Sequence, residues 1–131
     1  MPDRICLIVD DEPAIRSFLR AILERRQIQV VEAENATDAL RLLQKLGGRV
    51  DLIVSDIVMP GDFSGLDLAH SVRHAFPAIP VILFSGYSKD AKDAAGFEFI
   101  SKPFVPQTIL SAVERAMNSP RDQALQAGDH Q

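Results

Sequence analysis

The sequence predicts an α/β fold, a doubly wound parallel sheet of five strands, and three observations support this prediction. Short apolar runs alternate with segments whose apolar residues recur at helical spacing. Two of the runs, Leu52 to Val54 and Val81 to Phe84, contain only apolar residues, as expected of strands covered by helices on both faces. A length of 131 residues and a hydrophobic content of 47% suit a single soluble domain with a substantial core.

The first half of the chain supplies two strands and two helices. Residues 5–9 are predicted as the first strand, and Asp11 and Pro13 suit the cap and the first turn of the helix that follows. Residues 28–33 are the second strand, and Asn35 and Gly47 mark the start and the end of the second helix. The apolar residues at helical spacing are Ile15, Phe18, Leu19, Ile22 and Leu23 in the first helix and Ala36, Ala39, Leu40, Leu43 and Leu46 in the second.

The second half continues the alternation but contains one weak element. Residues 52–55 and 81–84 are the third and fourth strands, and the helix between them begins after Ser64 and ends before Pro77. Residues 86–96, where a fourth helix belongs, have little apolar surface to bury, so we predict a shortened or mobile fourth helix. Residues 97–101 are the fifth strand, and the last helix covers about residues 105–118.

Strands that alternate with helices favour the flavodoxin-like strand order 2-1-3-4-5, whose topological switch point lies between the first and third strands. Asp10, Asp11 and Asp56 follow those two strands, Ser85 follows the fourth, and Lys102 follows the fifth. All of these side chains should therefore meet at the carboxyl edge of the sheet, where open α/β sheets bind ligands. Three carboxylates in one crevice repel each other, and a hard divalent cation such as Mg²⁺ suits their oxygen ligands.

The composition excludes several classes of function. A formal charge of −4 and a pI near 5.3 argue against binding to nucleic acid or to an anionic membrane, because both need a basic surface. No apolar stretch approaches membrane-spanning length, and the early first strand indicates that there is no signal peptide. Cys6 is the only cysteine, lies in the first strand and is predicted to be a core residue. A single cysteine cannot form an internal disulfide, which fits a reducing cytoplasm.

A carboxylate, a cation pocket, a hydroxyl and an ammonium group together suit the transfer of a phosphoryl group to an aspartate. Four motifs at the strand ends carry these groups, and together they resemble the receiver (CheY-like) domain of a two-component response regulator. The resemblance covers roughly residues 3–118, so we expect a receiver domain over residues 1–118 and a polar, disordered tail over residues 119–131. The motifs are Ile8-Val9-Asp10-Asp11-Glu12, Asp56-Ile57-Val58-Met59-Pro60 followed by Ser64-Gly65-Leu66, Ser85-Gly86-Tyr87 and Lys102-Pro103-Phe104.

The resemblance implies a role for each residue of the site. Asp56 is then the phosphoacceptor, with Lys102 and Ser85 as the phosphate-contacting lysine and hydroxyl residues. The implied Mg²⁺ ligands are the carboxylates of Asp11 and Asp56 and the backbone carbonyl of Val58, with Asp10 acting through a metal-bound water. The resemblance also implies that the Lys102-Pro103 bond is cis, that Phe99 is the aromatic switch residue coupled to Ser85, and that Val58 and Tyr87 tune the lifetime of the phosphate.

Membership of this family further implies a phosphoryl donor and an output partner. The donor would be a sensor histidine kinase or a histidine phosphotransfer protein, and the output surface would lie near the fourth helix, fifth strand and fifth helix. The chain would catalyse only its own phosphorylation and slow dephosphorylation. Two features depart from the commoner pattern, namely a loop at residues 61–63 that is one residue longer and the short segment before Phe97.

Several alternatives remain open from the sequence. The domain could be excised from a hybrid histidine kinase, since Ser85-Gly86-Tyr87-Ser88 resembles the receivers attached to such kinases as well as some stand-alone bacterial receivers. It could be a receiver that is never phosphorylated, or a Mg²⁺-dependent phosphohydrolase with an aspartyl intermediate, although Val58 occupies the position where such enzymes carry a second aspartate. A mononucleotide-binding domain would need a phosphate-binding loop where Asp10-Asp11-Glu12 stands. Considered without the other motifs, Asp11 could be only a helix cap and Phe99 only a core residue.

Overall fold

The structure is a computed structural model that describes residues 4–87 and 89–118. In that part of the chain, five strands alternate with five helices, and the predicted tail at residues 119–131 lies outside the described residues. The elements are β1 (Arg4–Val9), α1 (Pro13–Glu24), β2 (Ile28–Ala33), α2 (Ala36–Leu46), β3 (Leu52–Asp56), α3 (Gly65–Ala75), β4 (Val81–Ser85), α4 (Asp90–Asp93), β5 (Glu98–Ser101) and α5 (Pro106–Met117).

The strands form one parallel sheet in the order β2-β1-β3-β4-β5, which confirms the predicted topology. The register aligns Val9 with Ser55, Asp56 with Phe84, and Ser85 with Ser101. Four strand ends therefore lie level with one another at the carboxyl edge. This alignment brings the chemically distinctive side chains of the chain to one side of the molecule.

The sheet separates two hydrophobic clusters because successive side chains of a strand point to opposite faces. In β1, Leu7 and Val9 pack with α2 and α3 on one face, whereas Cys6 and Ile8 pack with α1 and α5 on the other. Cys6 is completely buried, as predicted, and burial raises the pKa of its thiol far above the usual range. None of the helices in the described segments is long and apolar enough to cross a membrane.

Local sequence determines where most of the helices begin and end. Asn35 accepts a hydrogen bond from the Asp38 N–H at the start of α2, and Gly47 ends that helix in the left-handed conformation with φ at 61°. Ser64 and Asp67 form a reciprocal capping box at the start of α3. These three predicted helix boundaries are confirmed.

The prediction that Asp11 caps α1 is wrong. The N-cap residue is Glu12, whose side chain makes no capping hydrogen bond, and Pro13 is the first helical residue. The carboxylate of Asp10 instead accepts the Glu12 N–H at 2.8 Å. The side chain of Asp11 is exposed and is therefore available at the carboxyl edge of the sheet rather than used within the helix.

The fourth helix is short, as the sequence predicts. It comprises only Asp90–Asp93, and the next residue, Ala94, is 1% exposed and belongs to the same hydrophobic cluster as α2 and α3. The chain then turns at Gly96, whose φ of 94° favours glycine, and enters β5.

Candidate functional site

Three carboxylates converge at the carboxyl edge of β1 and β3. Oxygen atoms of Asp10, Asp11 and Asp56 lie within 4.8 Å of one another, and Asp10 and Asp56 are buried while Asp11 is exposed. The sequence predicted this cluster from the strand ends alone. It is open on the side of Asp11, so a ligand can reach it from solvent.

Asp10 is completely buried, and its two oxygens have different surroundings. Oδ1 accepts the Glu12 N–H, whereas Oδ2 is buried without a hydrogen-bond partner among the described residues. Burial raises the pKa of Asp10 to about 6, and the neighbouring carboxylates of Asp56 and Asp11 add to that rise. An unpartnered buried oxygen beside two further carboxylates fits a divalent cation, which would supply the missing positive charge.

Asp56 is held in place through both of its carboxylate oxygens. Oδ1 accepts the Val58 N–H at 3.1 Å, and Oδ2 pairs with the Lys102 ammonium at 3.1 Å. Burial raises the pKa of Asp56, and the hydrogen bond and charge of Lys102 oppose this rise. The side chain of Asp56 is 6% exposed and that of Lys102 is 25% exposed, so solvent screens this ion pair only partly.

Gly65 allows the backbone to pass closely behind Asp56. A Cβ atom at this position would lie 1.9 Å from the backbone oxygen of Asp56, and the Gly65 N–H donates to the carbonyl of Ile57 at 2.8 Å. The amino end of α3 therefore packs directly against the last residue of β3. This contact explains on steric grounds why Ser64-Gly65-Leu66 belongs to the site.

We expect Gly65→Ala to lower the free energy of unfolding by roughly 3 kcal/mol or more, because two segments of backbone must separate to admit the methyl group. Urea denaturation measures this change. Gly86→Ala is the matched control, since a Cβ atom there would meet nothing within 4 Å. Equal stabilities of the two variants would contradict the steric explanation.

Ser85 ends β4 beside Asp56 and is 1% exposed. Its hydroxyl donates to Asp90 Oδ2 at 2.6 Å and accepts the Tyr87 N–H at 3.0 Å. Asp90 is 8% exposed, and nothing in the sequence predicts its burial. A polar segment without apolar periodicity offered no signal that one of its aspartates is buried.

Of the remaining predicted residues, Val58 and Tyr87 adjoin this centre, and Phe99 packs against the hydrophobic core. Val58 and Tyr87 are 50% and 58% exposed, and their backbone N–H groups bind Asp56 and Ser85 respectively. Phe99 is partly buried and packs against the cluster that α2 and α3 share. The Lys102-Pro103 peptide bond is cis, as the resemblance implied.

The arrangement combines a paired carboxylate, an ammonium group, a hydroxyl and a cluster of three carboxylates. Residues 6–114 of the chain match the family described as the response regulator receiver domain. The chain belongs to this family. Receivers are the phosphoacceptor signalling modules of two-component systems, and the CheY-like fold predicted from the sequence is the one observed here.

Two curated relatives show the range of proteins that carry a similar receiver. The chain is 36% identical over 116 residues to the sensor kinase CckA of Brucella abortus (strain 2308), a match that covers 85% of this chain and 12% of that kinase. It is 35% identical over 113 residues to the transcriptional regulatory protein ResD of Bacillus subtilis (strain 168), covering 82% of this chain and 45% of ResD. The receiver thus spans less than half of either relative.

Solved structures agree with this assignment. The response regulator TrrA from Thermotoga maritima, in complex with Mg²⁺ and BeF, superimposes with a TM-score of 0.78 at 32% identity, covering 86% of this chain and 98% of that one. The receiver domain of the hybrid histidine kinase CckA gives a TM-score of 0.74 at 32% identity, with the same coverage of both chains.

Proposed function

We propose that Asp56 accepts a phosphoryl group from the phosphohistidine of a sensor histidine kinase or of a histidine phosphotransfer protein. The observation that carries this proposal is the double anchoring of the Asp56 carboxylate by the Val58 N–H and by Lys102. Of the three carboxylates in the acidic cluster, Asp56 is the one that the Lys102 ammonium group contacts among the described residues. It is therefore the aspartate best placed to attack.

The transfer needs an ionised carboxylate at Asp56. One of its oxygens forms a bond to phosphorus, the bond between phosphorus and the histidine nitrogen breaks, and that nitrogen keeps the electron pair. Lys102 favours the ionised form of Asp56 before transfer, against the effect of burial. After transfer, its ammonium group can pair with a phosphoryl oxygen, and the Ser85 hydroxyl can donate to another.

The residues that would hold Mg²⁺ are Asp11, Asp56 and the backbone carbonyl of Val58, with Asp10 acting through a bound water. When bound, Mg²⁺ supplies positive charge that offsets the charge on the transferring oxygens. The unpartnered Asp10 Oδ2 and the convergence of three carboxylates support this assignment.

Phosphorylation would shift the receiver between two conformations, because the phosphoryl group on Asp56 stabilises one of them more than the other. Ser85 and Phe99 are the proposed switch residues, and the surface around α4, β5 and α5 is the proposed site for an output protein. The similarity to CckA favours a second possibility for the context of the domain, in which it acts as the receiver of a hybrid kinase or passes its phosphate to a phosphotransfer protein.

Intact-protein mass spectrometry after incubation with acetyl phosphate and Mg²⁺ tests the acceptor. We expect an increase of about 80 Da in the wild type that is absent from Asp56→Asn and from a sample treated with EDTA. Asp62→Asn, in the exposed loop after β3, is the matched control and should keep the adduct. An adduct that survives Asp56→Asn would mean that another residue is the nucleophile.

Val58 and Tyr87 should control the lifetime of the phosphate, because both are half-exposed side chains beside the anchored groups. We expect Val58→Asn and Tyr87→Ala to change the half-life of the aspartyl phosphate by about three- to tenfold, since each alters how water approaches the phosphorus atom. Loss of the adduct over time, followed by mass, measures this effect. An unchanged half-life in both variants would refute it.

A further inference from the structure

The Ser85 hydroxyl has a partner that phosphoryl transfer does not use. Its proton is donated to Asp90 Oδ2 over 2.6 Å, and both side chains are buried. Its oxygen also accepts the Tyr87 N–H at 3.0 Å. In this structure, therefore, the hydroxyl has both a donor and an acceptor role within the segment that leads from β4 into α4.

A serine hydroxyl carries a single proton and can donate only one strong hydrogen bond at a time. The charged carboxylate of Asp90 is a strong acceptor, and hydrogen bonds to charged groups are about twice as strong as neutral ones. Ser85 cannot donate to Asp90 and to a phosphoryl oxygen on Asp56 at once. Each acceptor must gain the proton at the expense of the other.

We propose that Asp90 is a positioning residue that competes with the phosphoryl group for the proton of Ser85. The inference rests on the proposed function of Asp56 and adds a regulatory element to it. While Asp90 holds the hydroxyl, the unphosphorylated conformation is favoured. When the phosphoryl group takes the hydroxyl, Asp90 loses a donor while it is buried.

The loss of this donor has a structural consequence because Asp90 is the first residue of α4. Its N–H donates to the carbonyl of Tyr87 at 3.1 Å, and its own carbonyl accepts the Ala94 N–H at 3.0 Å. A buried carboxylate that loses a hydrogen bond is unfavourable unless it reaches water. A helix of four residues can turn to expose Asp90 at small cost, so a phosphoryl group on Asp56 would change the conformation of residues 89–96.

Binding of beryllofluoride in the presence of Mg²⁺, measured by isothermal titration calorimetry, tests the competition in a double-mutant cycle. We expect Asp90→Ala to bind beryllofluoride about tenfold more tightly than the wild type, because the competing acceptor is gone. In the Ser85→Ala background the same substitution should change the affinity by less than about twofold, since there is no hydroxyl to compete for. Asp93→Ala, an exposed aspartate of the same helix, should match the wild type within about twofold.

The results separate this inference from the proposed function. If the wild type binds no beryllofluoride and takes up no phosphoryl group, both are overturned. If the wild type binds but Asp90→Ala binds equally or more weakly, only the role of Asp90 is overturned. The role of Asp90 would also be overturned if Asp90→Ala tightened beryllofluoride binding equally with and without the Ser85 hydroxyl, because Asp90 would then act through the helix alone.

Thermal unfolding establishes whether Asp90→Ala retains its fold. If it does not, Asp90→Asn replaces it in the same cycle, since the amide oxygen still accepts but carries no charge. We then expect tightening of about threefold that disappears in the Ser85→Ala background. If Asp90→Asn does not tighten beryllofluoride binding, or tightens it equally in the Ser85→Ala background, the proposal is overturned.

Discussion

Lys102→Ala is expected to slow phosphorylation of Asp56 by acetyl phosphate about a hundredfold, because a single preorganised donor to developing negative charge contributes about that much to a rate. The Lys102 Nζ atom lies 3.1 Å from Asp56 Oδ2 and 5.2 Å from the centre of the Phe84 ring. It is therefore held at the acceptor before any phosphate arrives. Initial rates of adduct formation, measured by intact mass, check this prediction.

The same substitution should have the opposite effect on the cation. Lys102 places a positive charge against the acidic cluster, so its removal should tighten Mg²⁺ binding by about three- to tenfold. Lys45→Ala, at an exposed position near the end of α2, is the control and should change neither quantity. A Lys102→Ala variant with an unchanged phosphorylation rate would show that the ion pair only stabilises the fold.

Asp10→Asn should stabilise the metal-free domain and destabilise its complex with Mg²⁺. The substitution keeps the oxygen that accepts the Glu12 N–H and replaces the unpartnered Oδ2 by an amide that can donate to the neighbouring carboxylates. At pH 7.5 with EDTA we expect the free energy of unfolding to rise by roughly 2 kcal/mol. With excess Mg²⁺ the wild type should gain more stability than the variant.

The effect of Asp10→Asn on the free energy of unfolding should depend on pH, because it arises from the Asp10 carboxylate. Burial raises the pKa of Asp10 from 3.8 to about 6, so the folded state binds this proton more tightly than the unfolded state does. Its contribution to the free energy of unfolding therefore falls as the pH rises between those two values. The advantage of Asp10→Asn should be nearly absent at pH 4 and complete above pH 7. Urea denaturation at both pH values measures it, and a constant advantage would contradict the electrostatic explanation.

The fold and the central residues of the site could be predicted because they depend on the ends of buried strands. Apolar runs show where a strand lies, and right-handed crossovers between parallel strands leave few possible orders. Once the order is known, Asp10, Asp56, Ser85 and Lys102 must meet at one edge of the sheet. Their meeting there is a consequence of strand position alone, and the structure brings them together.

Other features depend on packing that hydrophobic periodicity does not report. An aspartate before a helix commonly caps it, so the sequence predicts that role for Asp11, but the Glu12 N–H is bound by Asp10 instead. The burial of Asp90 arises because the short α4 folds back onto Ser85, a contact between a strand end and a polar segment. The need for glycine at position 65 reflects its contact with the backbone of Asp56. Each of these is a tertiary contact, and the local sequence around the residues that make it does not predict it.

Tyr87 has a consequence for spectroscopy. It is the only tyrosine of the chain, which has no tryptophan, so one phenol ring dominates the near-ultraviolet emission of the whole protein. That ring is 58% exposed and belongs to the residue whose N–H binds the Ser85 hydroxyl. A change in the position of the Ser85 hydroxyl would therefore break or move a hydrogen bond to the backbone that carries the fluorophore. We therefore expect the tyrosine emission of the unlabelled domain to follow a conformational change at Ser85 in real time, without an engineered probe.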